Sequence, residues 1–112
     1  MNNQNTRSND DDYLDSVINF YIKLPDTPVK PSSNDRITAA SFLEKGIPIH
    51  TVEAALLLAT VRRLARPDDA TPLTPVRSLA YFAPVINEIE SAPLPDGYQQ
   101  YLQDKIKRLA QR

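Results

Sequence analysis

The chain has no cysteine and no tryptophan, and only one methionine, one histidine and two glycines in 112 residues. The missing cysteines exclude disulfides, thiolate metal sites and cysteine nucleophiles, and they suit a reducing cytoplasm, the expected address. With His50 as the only histidine, a multi-histidine metal centre would have to form between chains. Gly46 and Gly97 are too few to build a glycine-rich loop that cradles phosphates, and no cofactor is expected. No apolar run nears the ~18 residues that a membrane-crossing helix needs. The first residues also lack the basic-then-apolar pattern of a signal peptide.

Charge of one sign is lacking too. Thirteen basic and fourteen acidic side chains give a formal net charge of -1, so no whole-chain field points to nucleic acid. The distribution is lopsided. Asp10, Asp11, Asp12 and Asp15 crowd the start, and Lys105, Lys107, Arg108 and Arg112 crowd the end. The acidic run resembles a cation site only superficially, because oxygen ligands need a turn to focus them.

What is present is proline. Ten prolines fall largely in groups: Pro25, Pro28 and Pro31; Pro67, Pro72 and Pro75; Pro93 and Pro95. Each group breaks a helical pattern, since proline lacks the amide donor and restricts the residue before it. The length suits one domain. Residues 1–10 hold no apolar side chain after Met1 and read as a disordered tail, leaving 11–112 as a single helical domain.

Between the breaks the apolar periodicity is helical. Residues 11–24 place Tyr13, Leu14, Val17, Ile18, Phe20, Tyr21 and Leu24 on one broad face. Ser33 or Asn34 can cap a helix over 35–45, with Ile37, Ala40, Phe42 and Leu43 as its buried side and Gly46 as its stop. Thr51 can cap a third helix over 52–66. In residues 77–91 Pro84 fits if the regular helix starts near Ala83 after a looser turn over 78–82. A last helix over 97–111, capped by Asp96, turns Tyr98, Tyr101, Leu102, Ile106 and Leu109 inward. No repeat and no alternating strand pattern is present. The expectation is an all-α bundle of about five helices.

Residues 35–66 have the outline of a helix-turn-helix, and DNA-reading versions present polar side chains from the second helix. Here that helix is apolar almost all round and leaves only Glu53, Thr60 and its late arginines for solvent. Phe42 sits where close helix crossing calls for a small residue. A buried central helix explains the pattern better than base readout.

Arg62, Arg63 and Arg66 fall within about 100° of one another at the end of that helix. Followed back, the same strip is Ala59, Ala55 and Val52, small enough for a neighbouring helix to cover. With Arg77 and the basic Lys105, Lys107 and Arg108 of the last helix, these arginines are the candidate phosphate-binding residues. Cations also favour helix C-termini, and their stems cover apolar surface, which accounts for the same residues without a ligand. Tyr98 and Tyr101 beside the basic helix suit single-strand stacking, or simply core. His50 has no partnered nucleophile in any recognisable motif, so catalysis is not expected. Thr27, Thr71 and Thr74 each precede a proline, a spacing shared by phosphorylation sites and ordinary linkers.

The run GIPIHTVEAALLLATVRRL, with TPVRSLAYFAPVINEI downstream, resembles helical segments of bacterial replication-initiation and mobile-element proteins, including the DnaD-like group. The resemblance spans residues 35–90 and implies a DNA-associated role, with Arg62, Arg63, Arg66 and Arg77 as the positions carried over. Two functions follow as expectations. One is a small non-enzymatic accessory protein of DNA transactions that touches DNA phosphates and a protein partner. The other is an interaction or assembly module, as a homo-oligomer or with another protein, that makes no nucleic-acid contact. Neither calls for a membrane.

Overall fold

The computed structural model describes residues 9–111, and among these the chain is all-α with no strand. Five helices form in chain order: α1 Asn9–Ile22, α2 Ser33–Glu44, α3 Ile49–Leu64, α4 Ala83–Ser91 and α5 Tyr98–Ala110. A 3-10 turn, Leu79–Phe82, leads into α4. Most of the expected disordered tail lies outside the described residues. Its last two, Asn9 and Asp10, are helical, and Asp10, Asp11 and Asp12 occupy the first turn of α1, where carboxylates favour the helix dipole.

The helix ends follow local chemistry. Thr27 closes α1 by donating its hydroxyl to the carbonyls of Tyr21 and Leu24 at 2.9 and 2.7 Å. Ser32, one residue earlier than expected, caps α2: its hydroxyl accepts from the Asp35 amide, and the Asp35 carboxylate accepts from the Ser32 amide. Gly46 ends α2 in the left-handed region, φ 74°, with its amide bonded to Leu43 and that of Ile47 to Phe42. Those two bonds make a Schellman stop sealed by the buried Phe42 and Ile47. Pro48, and not Thr51, precedes α3, because the main-chain carbonyl of Pro48 already accepts from Thr51 and Val52. Pro84 sits in the first turn of α4 behind the looser 79–82 turn, as the sequence predicts. Gly97, at φ 80°, starts α5 in place of an Asp96 side-chain cap.

α3 is the hub. Val52, Ala54, Ala55, Leu56, Leu57, Ala59, Thr60 and Val61 are all buried on it. One core joins α3 to Val17 and Tyr21 of α1, Ala39 and Phe42 of α2, and Leu79, Phe82 and Ile86 of the 79–91 segment. A second, smaller cluster seats α5 through Leu102 against Leu57 and Val61. Burying a side chain such as Leu56 contributes about 1.5–3 kcal/mol, so a hub that collects this many contacts dominates the stability.

Three expectations about faces are corrected. Ile37 is 66 % exposed, because the buried stripe of α2 is Asp35, Ala39 and Phe42, about 160° away at ~100° per residue. Thr60 is buried and not exposed; its hydroxyl donates to the Leu56 carbonyl at 2.7 Å, which satisfies it inside the helix. Tyr101 is exposed, since Leu102 takes the inward position beside it.

Candidate functional site

α3 ends at Leu64, two residues short of the expected 66, so Arg62 and Arg63 lie in its last turn and Arg66 just past its end; the three fan out to three different segments. Arg62 reaches α4 and makes a bidentate pair with Glu88, at 2.9 and 2.5 Å. Its hydrogen bond to Glu88 raises the guanidinium pKa, and the same bond holds the Glu88 carboxyl below its ordinary value. Both side chains are about half exposed, so the pair is solvent-screened.

Arg63 turns inward, with only 10 % of its side chain exposed. One terminal nitrogen donates to the Asp26 carboxylate at 2.6 Å and to the Thr74 carbonyl at 2.8 Å; the other donates to the Tyr81 hydroxyl at 3.2 Å. The guanidinium also lies 5.4 Å from the centre of the Tyr81 ring. Burial alone would lower its pKa, but the hydrogen bonds with Tyr81 and Asp26 together outweigh that and raise it. Asp26 holds φ 68° and gives its own carbonyl to the Val76 amide, so α1's exit, the 65–78 loop and α3 meet at this one cation.

Arg66 is different. It donates to the Thr71 carbonyl at 2.7 Å and bonds no carboxylate among the described residues. It lies in a cleft of about 470 Å³ with Arg62, Arg63, Leu73, Tyr81 and Val85. Tyr81 and Leu73 are 45 % and 43 % exposed there, and an adjoining cleft that shares Arg63, Arg66 and Leu73 carries Asp26 and Asp68.

The remaining candidates sit elsewhere. Arg77 is exposed and lines a separate depression with Asp26, Thr27 and Pro28. Lys107 lines a third cleft, between the end of α1 and α5, and Arg108 is exposed on α5. Lys105 lies 5.8 Å from the Tyr101 ring centre and donates to its hydroxyl at 3.4 Å. Tyr98 and Tyr101 pack against each other at 5.1 Å, tilted by 42°. The structure therefore gathers Arg62, Arg63 and Arg66 into one cleft and does not bring Arg77, Lys105, Lys107 or Arg108 into it.

Sequence reasoning missed the carboxylates that engage the cluster. Asp26 looks like one more polar residue in a proline-rich connection, and Glu88 like an ordinary solvated position on α4. The Arg62–Glu88 and Arg63–Asp26 pairs span 26 and 37 positions, and no local periodicity reports such a separation. Among the described residues there is no group of His, Cys, Asp and Glu fit to hold a metal, and no helix long and apolar enough to cross a membrane. No family model matches the chain, and neither a curated protein nor a solved structure does.

Proposed function

We propose that this chain is a small non-enzymatic interaction module that receives a protein partner at the arginine-bearing end of α3. The observation that carries this reading is the internal use of the arginines. Arg62 and Arg63 are held by Glu88 and Asp26, so one uncommitted cation, Arg66, remains beside exposed Tyr81 and Leu73. A duplex backbone rewards several unpaired cations along one track. A single arginine among aromatic and aliphatic side chains is the composition of a protein-binding patch.

A photoreactive side chain at Leu73 tests it. The expected result is a cross-link to a discrete protein, another copy of the chain included, that the same group placed at the exposed Glu44 does not form. Cross-linking to nucleic acid alone would sink the reading, and a light-scattering mass identifies the self-assembly case.

DNA-phosphate contact is the second reading, favoured by one observation: Arg66, Arg77, Lys107 and Arg108 bond no carboxylate among the described residues. It predicts duplex or single-strand affinity that falls steeply with salt and is lost on neutralising these four cations. No measurable binding at low salt removes it.

A further inference from the structure

The geometry points to the occupant of the Arg66 cleft: an acidic segment of the partner carrying an aromatic or aliphatic residue next to its carboxylate. This rests on the interaction reading above and adds the chemistry of what is bound. Glu88 and Asp26 offset the charges of Arg62 and Arg63, and the adjoining cleft that shares Arg63, Arg66 and Leu73 carries Asp26 and Asp68, so on the Tyr81 side the charge left without a bonded carboxylate among the described residues is that of Arg66. Charge complementarity therefore selects a negative ligand. Arg66 is the group best placed to take it, since it now bonds only a main-chain carbonyl and can form a charge-assisted, planar fork with a carboxylate.

The other walls ask for apolar surface. Ala59, Leu73, Tyr81 and Val85 contribute no charge, and the volume falls within the ~300–1,000 Å³ of ligand-holding clefts. Arg63 lies 5.4 Å from the centre of the Tyr81 ring, and Phe82 packs against that ring at 5.2 Å, tilted by 85°.

The test is selection of short random peptides on the full chain, followed by direct binding to wild type, Arg66→Glu and Arg66→Gln. Circular dichroism checks that both variants keep their helix content. The expected winners combine Asp or Glu with Phe, Trp or Leu. Their affinity should drop about tenfold or more in Arg66→Glu, less in Arg66→Gln, and weaken at high salt. Winners with no acidic bias that bind Arg66→Glu as well as wild type overturn this inference and leave the interaction reading standing. No enrichment over an unrelated helical bundle overturns both. A duplex competitor that displaces the peptides, and itself binds wild type but not Arg66→Glu, overturns the inference in favour of nucleic acid.

Discussion

The Asp35 carboxylate accepts the main-chain amide of Leu79 at 2.9 Å, across 44 positions of sequence. Its other oxygen accepts the Ser32 amide at 2.9 Å. One buried side chain thus starts α2 and also satisfies the first amide of the 3-10 turn that leads into α4. A buried carboxylate is costly unless its oxygens are hydrogen-bonded, and here each oxygen accepts from one main-chain donor.

Asp35→Ala removes the return half of the capping box and leaves the Leu79 amide buried without a partner, so it should cost about 2–4 kcal/mol in urea unfolding. Asp35→Asn keeps one acceptor and should cost less. Hydrogen exchange at Leu79 should accelerate in both variants. An unchanged midpoint in Asp35→Ala would remove the joint from the account.

Arg63 makes its demand through geometry as well as charge. Arg63→Lys keeps the charge but cannot span Asp26, Thr74 and Tyr81 together, so it should lose most of the ~2–3 kcal/mol expected for Arg63→Ala. At Asp26 the φ of 68° adds a backbone component. Asp26→Asn and Asp26→Gly both tolerate that conformation and should each be milder than Asp26→Ala, by about 1 kcal/mol. Thermal melts of the three variants check the order, and equal midpoints would exclude a backbone contribution.

Tyr21 is fully enclosed, and its hydroxyl has no hydrogen-bond partner among the described residues. Burial, with the negative Asp35 adding to it, pushes the phenol up to about 12. A folded pKa above the unfolded one, near 10, means the associated stability is fully present below about pH 10 and is lost as pH rises toward about 12. Spectrophotometric titration should show one tyrosine ionising late, together with alkaline unfolding. Tyr21→Phe should abolish that late step and leave neutral-pH stability unchanged or raised, because the deleted hydroxyl bonds nothing. A marked loss of stability in Tyr21→Phe would show that the hydroxyl has a partner after all.

Arg62 and Glu88 form the best-shaped ion pair of the site but the most exposed one. A double-mutant cycle with Arg62→Ala and Glu88→Gln should give a coupling near the resolution of the measurement, smaller still at high salt. The depressed Glu88 carboxyl sets the sign: whatever the pair contributes is present above the ordinary glutamate pKa and lost as pH falls through the lowered value. A large, salt-independent coupling would mean that the pair is far less screened than its exposure indicates.

Local chemistry was legible from the chain alone. Pro84 and the looser turn before it, Gly46 as a left-handed stop, the amphipathic α1 and the apolar α3 all follow from proline's missing donor, glycine's missing Cβ and the 3.6-residue period. The tertiary structure decided which apolar residues stay out, since Ile37 lost its place to the buried carboxylate of Asp35, and Tyr101 to Leu102. It also decided what the arginines bond. Their crowding at one helix end is a matter of spacing and visible in sequence. Their partners, Asp26 and Glu88, are set by which segments the hub draws against it, and that is settled only when the whole core packs.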